Sequence, residues 1–106
     1  MADDPMWLVV MFDLPVVTKA QRRAATQYRN RLLDCGFSMV QFSVYARYRP
    51  TGGTDVPVMN AVTRGIPAGG KVRVMTVTDK QWSSMMRFSN NKEETEPETP
   101  EQLTIF

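Results

Sequence analysis

Residues 6–15 read MWLVVMFDLP, a run of seven apolar residues that is followed by Asp13, Leu14 and Pro15. The apolar run does not alternate with polar residues, which is typical of a central β-strand covered on both faces. Proline cannot donate a hydrogen bond to a neighbouring strand, so we expect the strand to end before Pro15. Asp13 is then a lone carboxylate at the exit of the most buried strand.

A helix is predicted to follow from residue 18. Thr18 and Gln21 have the spacing of a capping box, in which each side chain binds the backbone N–H of the other residue. Gly36 is the residue type that ends helices with a left-handed backbone conformation. One apolar stripe at helical spacing runs between these ends. It consists of Ala25, Tyr28, Leu32 and Cys35.

The remaining elements are predicted from alternation and turn residues. Residues 37–49 are long enough for two strands joined by a tight connection at residues 41–42. Residues 55–67 are predicted to contain a short second helix, and residues 71–78 alternate like a strand. Asp79 is expected to cap a short third helix.

The predicted order β-α-β-β-α-β, with one further strand at the end, is typical of an α+β ferredoxin-like fold. We expect the ferredoxin-like domain to span residues 1–90. Residues 91–100 are charged and contain prolines, so they are interpreted as an acidic linker. The apolar end of the chain, residues 101–106, is expected to pair as a strand with a sheet edge of its own chain or of a partner.

Charge is distributed unevenly along the chain. Residues 1–90 carry a net charge of +6, whereas residues 91–106 carry −4. The densest basic region lies between residues 18 and 49, which indicates either a polyanionic partner such as a nucleic acid or a solvated basic face. The acidic end is interpreted as a solubilising segment or as a shield for the basic region.

The sequence excludes several kinds of chemistry. It contains no histidine, so histidine-based acid–base catalysis and triads are absent. Its one cysteine, Cys35, can form neither an internal disulfide nor a cysteine-based zinc site, and it is interpreted as a packing residue. An enzyme of this composition would depend on carboxylates, hydroxyls, basic residues and metal ions. The acidic start and the short apolar runs predict a cytoplasmic protein without a membrane span.

Four motifs together resemble one known family. They are VMFDLP at residues 10–15, GFSMVQFSVYARY at 36–48, GKVRVMTVTDKQ at 70–81 and QLTIF at 102–106. In this order they resemble the Cas-two family, the small CRISPR-associated protein of spacer acquisition, and within it the branch that accompanies type II systems. The resemblance covers essentially the whole chain.

The resemblance implies a homodimer of ferredoxin-like domains. Family members are described as metal-dependent endonucleases that act on single-stranded RNA or double-stranded DNA. In spacer acquisition the dimer also binds the duplex to be inserted and bridges integrase subunits, a role for which nuclease activity is dispensable.

Asp13 is the catalytic and metal-binding residue that the resemblance implies. One carboxylate is a poor Mg²⁺ site, but a two-fold axis can bring together the Asp13 residues of two chains, which would share one Mg²⁺ ion. Residue type alone favours a different role, in which Asp13 caps the turn into the helix.

The other candidate residues fall into two groups. Nucleic-acid contacts are expected from Lys19, Arg22, Arg23, Arg29, Ser43, Tyr45, Arg47 and Arg49. The alternatives are a solvated helix face for the α-helical arginines and cross-strand packing for Tyr45. Partner binding is expected from Leu103, Thr104, Ile105 and Phe106. Some family members have an arginine where this chain has Met39, so no catalytic role of that arginine transfers here.

Three functions follow from these observations. The first is an adaptor in CRISPR spacer acquisition that binds double-stranded DNA and an integrase subunit. The second is a Mg²⁺-dependent endoribonuclease that uses the Asp13 pair, and the third is a toxin-like RNA interferase of the same fold. A ligand-binding ferredoxin-like regulator has no supporting motif.

Overall fold

The computed structural model describes residues 4–52 and 55–90, together with the backbone of residues 93–94. The elements follow in the order predicted from the sequence, with a short hairpin at the end. They are β1 (Met6–Asp13), α1 (Lys19–Asp34), β2 (Ser38–Gln41), β3 (Val44–Arg49), α2 (Val56–Arg64), β4 (Lys71–Thr78), α3 (Asp79–Ser83), β5 (Arg87–Phe88) and β6 (Glu93–Glu94). No helix in this described part is both long and apolar enough to cross a membrane.

Four strands form one antiparallel sheet in the order β2-β3-β1-β4. Each strand–helix–strand unit places its two strands parallel with one strand between them, which is the split arrangement of ferredoxin-like folds. The predicted fold class is therefore confirmed. As predicted, β1 is central, and its consecutive residues Leu8, Val9 and Val10 are all buried.

The main core lies between the sheet and the two longer helices. Side chains that alternate along β1 face α1 and α2, because successive residues of a strand point to opposite faces. The cluster comprises Leu8, Val10, Phe12 and Leu14 near β1, Ala25, Tyr28 and Leu32 of α1, Tyr45 of β3, and Val58 and Val62 of α2, with Phe37 beside them. The Tyr28 hydroxyl donates a 2.8 Å hydrogen bond to the Val62 carbonyl, which ties α1 to α2.

Both ends of α1 are formed as the sequence predicts. The Gln21 N–H donates to Thr18 Oγ1 at 3.1 Å, and the Thr18 N–H donates to Gln21 Oε1 at 2.9 Å. Gly36 follows the helix with a φ of +90°, a conformation that a residue with a Cβ atom rarely adopts. The helix therefore ends where β2 must begin.

The opposite face of the sheet is only partly covered by the residues that the structure describes. The Trp82 ring of α3 stacks on the Trp7 ring of β1 with their centroids 4.2 Å apart. Trp7 Nε1 donates to an Asp79 carboxylate oxygen at 2.9 Å, which fixes this end of the face. The expected cap at Asp79 is wrong: Thr78 is the N-cap, and it forms a capping box with Gln81.

The chain end is described only in part. Glu93–Glu94 form a short strand that pairs with Arg87–Phe88. Most of the predicted acidic linker and all of the predicted terminal strand at residues 101–106 lie outside the described residues. The interpretation of these two segments stays a prediction.

Candidate nucleic-acid interface

Asp13 is the last residue of β1, and its side chain is exposed. It does not cap α1, because Thr18 performs that role. Within the described residues, its carboxylate makes no hydrogen bond and no ion pair. Neither capping nor pairing within the described residues therefore explains the carboxylate.

Two cations beside Asp13 were missed by sequence reasoning. Lys71 is the cross-strand partner of Asp13, and Arg73 is the partner of Met11, two residues away on the same face. Both basic side chains are exposed. Antiparallel partners have Cβ atoms roughly 5 Å apart, so Lys71 adds positive charge next to the carboxylate. The sequence showed the strand, but only the sheet register shows which residue faces Asp13.

The turn between β2 and β3 lies at the same end of the sheet. The Phe12 N–H donates a 3.1 Å hydrogen bond to the Ser43 carbonyl, which places Ser43 beside the end of β1. The backbone of Ser43 thus lies near the end of β1 that carries Asp13. Its side chain is half-buried.

Tyr45 faces the core and not the surface. Only 2% of its surface is exposed, and its ring centroid lies 5.5 Å from that of Phe12. Burial raises the pKa of the Tyr45 hydroxyl, and the nearby Arg29 charge opposes that rise. The structure therefore supports the packing role of Tyr45 over a nucleic-acid contact.

The basic residues of α1 differ in their surroundings. Lys19 and Arg23 are exposed. The Arg22 guanidinium donates to the Val16 and Val17 carbonyls at 3.3 and 2.9 Å, so it stabilises the loop between β1 and α1. Arg29 is half-buried and lies over the Phe42 ring. Lys19 and Arg23 are accordingly the members of this group that suit a phosphate contact best.

Arg47 and Arg49 lie at the far end of β3. Arg47 pairs with Leu8, which is about 17 Å from Asp13 along β1. The Arg47 guanidinium forms a 3.1 Å ion pair with Asp55. Arg49 and Asp55 line a cavity of about 400 Å³ between the start of α2 and the sheet. The structure therefore separates these two arginines from Ser43 and Asp13.

Comparisons with known proteins agree with the fold and with the motifs. The family model for CRISPR associated protein Cas2 matches residues 6–85, from the start of β1 to just beyond α3. The chain belongs to the Cas2 family. The resemblance given by the sequence motifs is thus confirmed at the family level, and the type II branch stays a prediction.

Several curated Cas2 relatives match over most of the chain. "CRISPR-associated endoribonuclease Cas2" of Paracidovorax avenae is 46% identical over 101 residues, which cover 95% of this chain and 94% of the relative. The protein of the same name from Acidovorax ebreus is 50% identical over 82 residues, covering 76% and 78%. That from Flavobacterium psychrophilum is 37% identical over 101 residues, covering 95% and 88%.

The described residues of one chain provide few ligands for the metal that the Cas2 resemblance implies. Within the described residues, no group of three or more acidic, histidine or cysteine side chains is placed to hold an ion. Asp13 supplies one carboxylate, and its cross-strand partner is a cation, Lys71. Mg²⁺ takes an octahedral set of oxygen ligands, many of them water or phosphate, so Asp13 would supply one protein ligand and a second carboxylate from a symmetry mate would complete the pair.

Proposed function

We propose that this Cas2 protein is a CRISPR adaptation factor of the cytoplasm. In this role a homodimer binds duplex DNA and bridges integrase subunits while new spacers are integrated. Membership of the Cas2 family carries the proposal. The exposed basic residues and the open sheet face provide the physical support.

The open face of the sheet supports dimerisation. Tyr48 and Met75 lie on the face away from α1 and α2, and they are 43% and 48% exposed. Exposed apolar residues that cluster on one face of a small domain are typical of a contact surface. A second copy would bury the same residues from both chains around a two-fold axis.

Exposed cations support duplex binding. Lys71 lies on β4 opposite Asp13, and Arg73 lies two residues further along the same strand. Lys19 and Arg23 lie in the first turns of α1. Such residues neutralise phosphates and release counterions, which favours binding to any duplex sequence. A dimer would double this set of charges and present them symmetrically.

The integrase contact is proposed for the end of the chain. Leu103, Thr104, Ile105 and Phe106 are apolar or β-prone and lie outside the described residues. Segments of this kind bind other proteins by adding a strand to a sheet edge.

Charge reversal tests the DNA-binding part of the proposal. Lys19→Glu combined with Arg23→Glu is expected to weaken duplex binding roughly tenfold or more and to flatten its dependence on salt. Lys80→Glu is the matched control, because Lys80 is exposed in α3, beyond the other end of β4. Titration of a labelled duplex at several salt concentrations measures the effect.

The same variants can be assayed for spacer integration with the cognate integrase. Loss of integration in the double variant, with activity kept in Lys80→Glu, is the expected pattern. Equal duplex affinity in all three proteins would contradict the proposal that these cations bind DNA.

A Mg²⁺-dependent endonuclease is the second candidate function. The relatives are named endoribonucleases, and neither capping nor pairing within the described residues explains the Asp13 carboxylate. The Asp13 residues of two chains would hold the ion, which would polarise a phosphate and activate water. This function and the adaptor role use the same dimer and do not exclude each other.

A further inference from the structure

Phe42 is an exposed aromatic residue on the turn between β2 and β3. Although the Arg29 guanidinium lies over its ring at 4.1 Å from the centroid, 47% of Phe42 remains exposed. Arg29 therefore covers one face of the ring and leaves the other side open. Neither the main core nor the open sheet face includes this residue.

Two contacts favour one position of the ring. The Ser43 carbonyl next to it accepts the 3.1 Å hydrogen bond from the Phe12 N–H, and Arg29 anchors the ring from α1. A surface that is ordered before binding loses less conformational entropy when a ligand arrives. The contact with Arg29 and the hydrogen bond at Ser43 therefore favour an ordered position for Phe42 before a ligand binds.

Phe42 lies near the end of β1. Met11 pairs with Val44, and the Phe12 N–H donates to the Ser43 carbonyl one residue further along. The Phe42 ring lies on the side of the sheet that α1 covers, because the Arg29 guanidinium is close to both Phe42 and Phe12. Asp13 follows Phe12 in β1, so Asp13 and its partner Lys71 lie on the opposite face.

The Arg29 guanidinium has an unsatisfied hydrogen-bond donor within the described residues. Its Nε atom is buried and has no hydrogen-bond partner within the described residues. Its planar group contacts Phe42 at 4.1 Å and Phe12 at 5.9 Å, and these rings attract the cation without neutralising it. The guanidinium therefore adds positive charge over one face of the Phe42 ring.

We propose that Phe42 and Arg29 form a subsite for one unpaired nucleotide of a nucleic acid strand. The base stacks on the open face of Phe42, and the adjoining phosphate lies in the field of Arg29. Aromatic rings flanked by cations bind single strands in this way, whereas the faces of bases inside a duplex are covered by their neighbours. The subsite rests on the proposed nucleic-acid function and adds a preference for unpaired bases at the turn between β2 and β3.

Substitutions at Phe42 test the subsite. Phe42→Leu keeps an apolar side chain but removes the stacking ring, and Phe42→Trp keeps a ring. The probes are a labelled single-stranded RNA, a labelled single-stranded DNA and a blunt duplex, all titrated in EDTA so that cleavage does not interfere. Phe88→Leu is the matched control, since Phe88 is an exposed aromatic on β5.

Phe42→Leu is expected to weaken single-strand binding roughly 5- to 100-fold while leaving duplex affinity unchanged. Phe42→Trp should retain the affinity, and its added tryptophan fluorescence should be quenched by the single strand but not by the duplex. Phe88→Leu should behave like the wild type. Circular dichroism and sedimentation establish that each variant keeps its fold and its assembly state.

The failure of this inference is distinguishable from that of the proposed function. If wild type and Phe42→Leu bind single strands equally, or if Phe42→Leu changes the sedimenting mass, the subsite is disproved while duplex binding stands. If the wild type binds neither single strands nor duplex, the proposed nucleic-acid function fails together with the subsite.

Discussion

Asp55 combines two stabilising contacts at the start of α2. Its carboxylate accepts a hydrogen bond from the Val58 N–H at 3.3 Å and pairs with the Arg47 guanidinium at 3.1 Å. The pKa of Asp55 is lowered from 3.8, chiefly by the Val58 hydrogen bond, with further contributions from Arg47 and Arg49. The ionised form is therefore the one that the folded chain favours.

A pH-dependent stability difference follows for Asp55→Asn. Because the folded pKa lies below the unfolded value of 3.8, the ionised carboxylate stabilises the fold fully above that value. This contribution is lost as the pH falls through the folded pKa. Thermal unfolding of wild type and Asp55→Asn should differ at neutral pH and converge in strong acid. A difference that stays constant across this range would contradict the assignment.

Local sequence patterns predict some residues of the candidate site, but they do not predict which distant residues come into contact. The position of Asp13 was predictable, because the end of a buried strand is marked by a polar residue and a proline nearby. The Asp13–Lys71 and Arg29–Phe42 pairs join residues 58 and 13 positions apart in the chain. Such pairs depend on strand register and on how α1 packs, and neither is encoded in a local pattern.

At the level of elements, α1 shows how local signals define a helix. The capping box at its start and Gly36 after its end are both formed as predicted. Thr78 and Gln81 have the same capping-box spacing, so the N-cap of α3 is Thr78 and not the expected Asp79. Capping patterns are local, so these helix ends could be predicted from residue types alone.

Thr18→Ala is expected to destabilise the protein by about 1 kcal/mol, because it leaves the Gln21 N–H without its side-chain acceptor. Thr26→Ala is the matched control, since Thr26 is exposed within α1 and alanine there favours the helix slightly. Urea denaturation of both variants measures the difference. Equal midpoints for Thr18→Ala and the wild type would show that the capping box does not contribute.

For the molecule as a whole, one side of the sheet forms the core and the other leaves apolar residues exposed. The helices cover the first side, whereas the short α3 covers only the end of the second near Trp7. The order of elements predicts that the two longer helices cover one side of the sheet, but it does not predict how much of the other side is covered. Which residues of the second side are covered depends on how far α3 reaches across it.

Basic residues are concentrated at the end of the sheet that carries Asp13. The Asp13 end of the sheet combines one carboxylate with Lys71 and Arg73. Since these cations are expected to bind phosphates and Asp13 is expected to hold a metal with its symmetry mate, binding and cleavage are separable. The central claim is therefore that Asp13 contributes to cleavage and not to nucleic-acid binding.

The most direct test of this claim compares the wild type with Asp13→Asn in nucleic-acid binding and in cleavage. Both proteins would be titrated with duplex DNA and single-stranded RNA, in Mg²⁺ and in EDTA, after denaturation has shown that their stabilities agree within about 0.5 kcal/mol. We predict equal binding by the two proteins, and Mg²⁺-dependent cleavage that falls at least roughly 100-fold in Asp13→Asn. Weaker binding by Asp13→Asn, or cleavage that survives the substitution, would contradict the claim.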